Sequence, residues 1–91
     1  MTSWRKALDR VMRPDARQSA RFDDLCTVLR HLGFTERTSG GSHRIFTRPG
    51  IREIINVQPR NDGTAKPYQV RQVAALILKY RLAEPSDPER R

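Results

Sequence analysis

The residues with the clearest capacity for chemistry lie in one short stretch, Gly40-Gly41-Ser42-His43-Arg44. Two glycines let a backbone approach a ligand closely, and the N–H groups of such a turn can surround a phosphate. The imidazole of His43 is a side chain that can gain or lose a proton near neutral pH. It could take the proton from a ribose 2′-hydroxyl, which then attacks its own phosphate. On spacing alone, a surface position that only forms hydrogen bonds fits His43 as well.

The other residues with chemical potential favour structural roles. His31 lies off the apolar stripe of its helix and is predicted to be a solvated surface residue. Cys26 lies within that stripe, which indicates packing, and a single cysteine makes neither an internal disulfide nor a Cys-rich zinc site. Glu53 and Asp62 are the only carboxylates between residues 37 and 81, and no two-histidine spacing exists. We therefore predict no metal site and no cofactor.

The distribution of charge favours a polyanionic partner. The net charge is +8, and residues 37–81 hold nine bases against two acids, a balance of +7. Such a block attracts a polyanion before any specific contact forms, and most of the bases are arginines, whose planar forks match phosphate oxygens. Arg37, Arg44 and Arg48 are candidates for contacts with a nucleic-acid backbone, and Lys66 lies just ahead of a helix start, where phosphate is favoured. A solvated surface or an acidic protein partner remains the alternative.

Two helices are predicted in the first third of the chain. Trp4, Leu8, Val11 and Met12 form an apolar stripe at helical spacing, which predicts a helix over residues 3–13. Pro14 ends that helix, and residues 14–20 are predicted to be a linker. A second stripe predicts a helix that Gly33 terminates. The members of this second stripe are Phe22, Leu25, Cys26, Leu29 and Leu32.

After Gly33 the apolar period changes from that of a helix to that of a strand. Residues 34–38, 43–48 and 53–58 are predicted to be strands of an antiparallel meander, with a tight turn at Arg48-Pro49-Gly50-Ile51 that places Gly50 at positive φ. Residues 59–67 are predicted to be a loop, and a last helix begins at Pro67, where Tyr68 is expected to pack. The simplest packing is a two-layer α+β domain that leaves one sheet face open.

Length and apolar content limit the remaining possibilities. Ninety-one residues permit one small domain. No apolar run reaches the roughly 20 residues of a spanning helix, and no signal peptide is evident at the N-terminus. With one cysteine, these features predict a soluble, cytoplasmic protein with no membrane association.

Several motifs, in this order and spacing, resemble the HicA-type toxins of HicA–HicB toxin–antitoxin systems. They are Phe22-Asp23-Asp24-Leu25, Leu32-Gly33-Phe34, Gly41-Ser42-His43, Ile55-Asn56-Val57-Gln58 and Lys66-Pro67-Tyr68-Gln69-Val70. The resemblance covers residues 21–82. It implies a fold like the double-stranded-RNA-binding domain (α-β-β-β-α), to which residues 1–20 add an N-terminal helix and linker. Residues 83–91 are expected to be a flexible tail.

The resemblance also implies an activity and a partner. HicA-type toxins are mRNA-cleaving ribonucleases that a HicB antitoxin restrains, and the histidine of the Gly-Ser-His stretch, here His43, is the catalytic one. We therefore expect a metal-independent endoribonuclease. Gly41 and Ser42 would shape its phosphate site, and Lys66 with Arg37, Arg44 and Arg48 would hold RNA. The partners would be mRNA and a HicB-type antitoxin, the free protein a monomer and the complex a hetero-oligomer. A non-catalytic RNA-binding module is the alternative, and the donor of the leaving group's proton is unassigned.

Overall fold

Three helices and a three-stranded sheet make up the computed structural model, which describes residues 4–38 and 43–83. The elements are α1 (Trp4–Met12), a 3-10 helix (Pro14–Ser19), α2 (Phe22–His31), β1 (Thr35–Thr38), β2 (Arg44–Thr47), β3 (Ile55–Val57) and α3 (Pro67–Tyr80). The sheet is antiparallel, with strand order β1-β2-β3. The predicted α+β class and the predicted order of helices and strands are therefore confirmed.

Within the segment predicted to be a linker, residues 14–19 form the 3-10 helix. Proline lacks an N–H and fixes φ near the helical value. It therefore ends one helix and suits the first turn of the next. Pro14 does both here. The residue after the 3-10 helix, Ala20, is 1% exposed and belongs to the core.

Two glycines set the boundaries that the sequence pattern predicted. Gly33 has a φ of +92° and follows the last turn of α2, and the backbone N–H of Phe34 then donates to the carbonyl of Leu29 at 3.0 Å. Gly50 has a φ of +89°, and the turn around it closes with a 3.1 Å hydrogen bond from the N–H of Ile51 to the carbonyl of Arg48. Left-handed backbone of this kind favours glycine, which has no Cβ.

The register of the strands divides their side chains between two faces. Phe46 lies opposite Glu36 on β1 and Ile55 on β3, and Phe46 and Ile55 are almost completely buried. Ile45 lies opposite Arg37 and Asn56, which are exposed. Because successive residues of a strand point to opposite faces, one face joins the core and the other is open.

All three helices contribute to one hydrophobic core. Leu25 and Leu29 of α2 and Val73 of α3 are at most 1% exposed. The N-terminal helix α1 contacts both α2 and α3, and its Ala7 and Val11 are 1% and 0% exposed. It is therefore packed into the same core as the elements that follow it.

Two carboxylates connect the sheet side of the molecule to the helices. Glu36 on β1 accepts hydrogen bonds from Arg44 on β2 and from Arg30 on α2, and these bonds lower the pKa of Glu36 below its ordinary value. Glu53, just before β3, accepts hydrogen bonds from Lys79 at 2.7 Å and from the Tyr80 hydroxyl at 2.6 Å at the end of α3. These bonds lower the pKa of Glu53 to about 2.

The loop between β3 and α3 has an internal structure of its own. The N–H of Arg60 donates to the carbonyl of Thr64 at 2.8 Å, and the Asp62 carboxylate accepts from the N–H and hydroxyl of Thr64 at 3.0 and 2.6 Å. The N–H of Phe22 donates to the carbonyl of Gly63 at 3.0 Å, which attaches the loop to the start of α2. These hydrogen bonds hold the loop, and with it the residues at its two ends, in a defined position.

Candidate functional site

His43 lies immediately before β2 and is exposed. Asn56 is on the open face of the sheet, and His43 and Asn56 line one surface pocket of about 200 Å³. The pocket forms where β2 begins, β3 ends and α3 begins, so its walls come from three separate parts of the sequence. Its lining residues are His43, Asn56, Gln58, Tyr68 and Gln69.

The first turn of α3 supplies the wall formed by Tyr68 and Gln69. Pro67 occupies the first position of the helix, where its missing N–H costs nothing, and this fixes where the next two residues lie. The Gln69 side-chain oxygen accepts the backbone N–H of Gln58 at 3.1 Å, and its amide nitrogen donates to the Tyr68 hydroxyl at 3.3 Å. Tyr68 is 55% exposed, so the prediction that its ring packs was wrong. The helix turns it outward onto the pocket.

A second, larger pocket of about 470 Å³ adjoins the first and shares Gln58 with it. Arg60 and Lys66, from the two ends of the β3–α3 loop, place two cations there. Lys66 is the residue directly before α3, and within the described ranges it forms no ion pair. This arrangement suits an anionic ligand that continues from the His43 pocket. Its lining residues are Gln58, Pro59, Arg60, Asn61, Asp62 and Lys66.

The three predicted arginines lie in three different places. Arg37 is exposed on the open face, where it lies opposite Ile45, the second residue of β2. Arg44 lies on the helix side, where it donates to Glu36 and its guanidinium sits 5.8 Å from the centre of the Phe22 ring. Arg48 follows the far end of β2, beside Gly33. The structure therefore brings only Arg37 to the face that His43 shares.

Gly41 and Ser42, the predicted phosphate-binding residues, lie outside the described residues. Four residues that the sequence analysis had not assigned to the site line the pocket, namely Asn56, Gln58, Tyr68 and Gln69. The sequence held a signal for Asn56 and Gln58, because the alternation in Ile55-Asn56-Val57-Gln58 puts both polar side chains on the open face.

Two other candidates from the sequence have structural contacts. His31 is on the surface as predicted, and its ring also stacks on Trp4, with centroids 5.1 Å apart and planes within 7°. Cys26 is buried as predicted, and burial raises the pKa of its thiol to about 11. A buried thiol of that kind remains protonated and packs as a small apolar side chain.

Some features are absent from residues 4–38 and 43–83. No cluster of three or more histidine, cysteine or acidic side chains is placed to hold a metal ion there. None of the helices there has both the length and the apolar character needed to cross a bilayer.

Comparison with known proteins bears on the resemblance seen in the sequence. No curated protein and no solved structure matched the chain. A family model does match, with the description HicA toxin of bacterial toxin-antitoxin, over residues 22–79. That range is more than half of the 91 residues, contains His43 and the other described residues of its pocket, and leaves α1 outside. The resemblance is confirmed, and the chain belongs to the HicA toxin family.

Proposed function

We propose that this HicA-family toxin is a metal-independent endoribonuclease that cleaves mRNA with His43 as its general base. The observation that carries the proposal is that His43, an exposed imidazole, lies in a polar pocket beside a second pocket that holds Arg60 and Lys66. A histidine at such a position can take the proton of a ribose 2′-hydroxyl. The cations beside it hold the phosphates that flank the reacting one.

The reaction is a transesterification within the RNA. The 2′-oxygen, on losing its proton to His43, forms a bond to the adjacent phosphorus, and the bond from phosphorus to the 5′-oxygen breaks. The products are a 2′,3′-cyclic phosphate and a 5′-hydroxyl. In this proposal Gly41 and Ser42 offer N–H groups to the phosphate, Lys66 and Arg37 hold the RNA backbone, and Arg44 and Arg48 make more distant contacts.

A substitution at His43 tests this proposal. Purified His43→Ala should lose cleavage of single-stranded RNA by about 10²- to 10⁴-fold, the usual contribution of a positioned proton-transfer group. Because His43 is exposed, the variant should fold and bind RNA with nearly unchanged affinity. Fragments are measured on a denaturing gel in the presence of a chelator, and binding by fluorescence anisotropy.

The matched control is His31→Ala, which removes the other histidine and leaves the pocket intact. It should cleave at the parent rate. Cleavage by His43→Ala at the parent rate would exclude the proposed role of His43. A parent protein that binds RNA and never cuts it would favour the alternative, a non-catalytic RNA-binding module.

The partner that the family implies is an antitoxin, which we propose is of the HicB type and forms a hetero-oligomer with the otherwise monomeric toxin. The site is cationic, so acidic side chains that reach the two pockets would compete with RNA. Expression of this chain alone should arrest growth, and expression of His43→Ala should not. A toxin–antitoxin complex that leaves His43 fully open to RNA would contradict this mode of inhibition.

We propose further that residues 21–82 follow the double-stranded-RNA-binding arrangement, to which residues 1–20 are an addition and residues 83–91 a tail. The order α2-β1-β2-β3-α3 and the antiparallel meander support this. Residues 84–91 lie outside the described residues.

A further inference from the structure

The buried side chain of Gln69 supports the pocket from behind. It is 5% exposed and is the one buried polar side chain in the described part of the chain. Its side-chain oxygen accepts a hydrogen bond from the backbone N–H of Gln58. Because an amide nitrogen cannot accept such a bond, this contact sets the orientation of the Gln69 amide. Its NH₂ group must then point toward the Tyr68 hydroxyl, to which it donates at 3.3 Å. A buried amide is thus used to hold one phenol oxygen in place.

The Tyr68 hydroxyl accepts this bond and retains its own proton for donation. Its ring is 55% exposed, and it lines the same pocket as His43. The remaining lining groups, those of Asn56, Gln58 and Gln69, are amides, which stay neutral and do not act as acids or bases near neutral pH. Among the described residues that line the pocket, Tyr68 is therefore the group besides His43 that can transfer a proton.

We propose that Tyr68 is the general acid of the cleavage, an inference that rests on the endoribonuclease function proposed above. As the bond between phosphorus and the 5′-oxygen breaks, the phenol gives its proton to that oxygen and becomes a phenolate. His43 meanwhile holds the proton from the 2′-hydroxyl, and proton exchange with water restores both side chains. The two proton transfers balance, and no co-reactant is required.

The chemistry of the groups supports this assignment. A phenol is a far stronger acid than the alcohol formed when the 5′-oxygen is protonated, so the transfer is favourable. The side-chain N–H of Gln69 donates to the oxygen on which negative charge develops during the transfer, and a donor already aimed at such an oxygen stabilises the transition state. Gln69 therefore acts as a positioning residue for the phenol.

The substitution Tyr68→Phe removes the hydroxyl and keeps the ring. Because the ring is more than half exposed, the variant should fold with the parent's stability. We expect kcat for single-stranded RNA to fall by about 10²- to 10⁴-fold with little change in KM. Tyr80→Phe is the matched control, since it removes the hydroxyl that donates to Glu53 and leaves the pocket unchanged. It should keep the parent kcat.

A second substrate separates acid catalysis from a structural role. RNA in which sulfur replaces the bridging 5′-oxygen at the cleavage site releases a thiolate, which needs no proton. Tyr68→Phe should cleave this substrate at nearly the parent rate, while His43→Ala should remain slow on both substrates. Equal losses for Tyr68→Phe on the two substrates would overturn the proposal and assign the hydroxyl to structure or binding.

The outcomes also distinguish this proposal from the one on which it rests. Slow cleavage by His43→Ala combined with parent kcat for Tyr68→Phe would retain the ribonuclease and reject Tyr68 as its acid. A raised KM in Tyr68→Ala that Tyr68→Phe restores, with kcat unchanged, would show that the ring stacks on a base and would also reject the acid role. Parent rates for His43→Ala would reject both proposals together.

Discussion

Glu36 and Glu53 show how single side chains connect strands to helices. Glu36 accepts hydrogen bonds from Arg44, the residue after His43, and from Arg30 on α2. It therefore connects the start of β2 to α2. Glu53 ties the approach to β3 to the end of α3 through Lys79 and Tyr80. Each carboxylate accepts hydrogen bonds from two partners in the folded chain, and an unfolded chain offers none of them. Both groups therefore couple folding to pH.

The effect of Glu53 on stability has a defined pH range. Its pKa falls from an ordinary value of 4.5 to about 2 on folding, so at pH values between these the unfolded chain binds more protons. Its stabilisation is complete above pH 4.5 and is lost as the pH falls through 2. Glu53→Gln should therefore show a flatter decline in the free energy of unfolding between pH 5 and pH 2, measured by urea denaturation.

The control for this measurement is Asp15→Asn, which removes a carboxylate whose ion pair with Arg13 is long, at 3.8 Å. It should retain the parent's dependence on pH. If the free energy of unfolding of Glu53→Gln fell as steeply with pH as that of the parent, the bonds to Lys79 and Tyr80 would contribute nothing to stability in solution.

The helix α1 is an integral part of the fold, although it lies outside the residues that match the family. It packs against α2 and α3, and its Ala7 and Val11 are excluded from solvent. Trp4 at its start stacks on His31 at the end of α2. The two contacts lie seven residues apart, which is two helical turns, so α1 is fixed along its length.

Truncation of Val11 tests this packing. Val11→Ala deletes two methyl-sized groups from a fully buried position, so the free energy of unfolding should fall by about 2 kcal/mol. Lys6, which is exposed on the same helix, provides the control. Lys6→Ala should change the free energy of unfolding by less than about 0.5 kcal/mol. Equal stabilities in urea denaturation would mean that α1 is detached in solution.

Secondary-structure elements could be predicted from the sequence wherever the pattern of neighbouring residues determines them. The change of period after Gly33, the turn at Gly50 and the helix start at Pro67 all depend on neighbouring residues, and each was predicted. The outward position of Tyr68 depends on how α3 sits on the sheet, and the stack of Trp4 on His31 depends on how α1 crosses α2. Contacts between distant segments leave no periodic signal, so these had to come from the structure.

At the scale of the molecule, the location of the positive charge matters more than its total. The net charge is +8, yet several cations are already occupied by carboxylates, including Arg30, Arg44 and Lys79. Lys66 and Arg60 instead line the pocket next to His43. A polyanion is therefore attracted to the end of the sheet where the two pockets meet.

Two substitutions with the same effect on net charge test this distribution. In a His43→Ala background, which keeps the RNA intact, Lys66→Ala should weaken single-stranded RNA binding and lower the slope of log K against log salt by about 0.7, the value for one phosphate contact. Lys79→Ala removes one positive charge from a lysine paired with Glu53 and should leave the slope unchanged. Identical slopes in the two variants would indicate that RNA binding depends only on the total charge of the protein.

The pocket's walls come from residue 43, residues 56–58 and residues 68–69, which meet only after α3 has docked on the sheet. During synthesis, a nascent chain whose α3 is still inside the ribosome therefore lacks an assembled pocket. The same dependence gives an inhibitor a second route. A molecule that separates α3 from the strands would abolish the proposed activity without contacting His43.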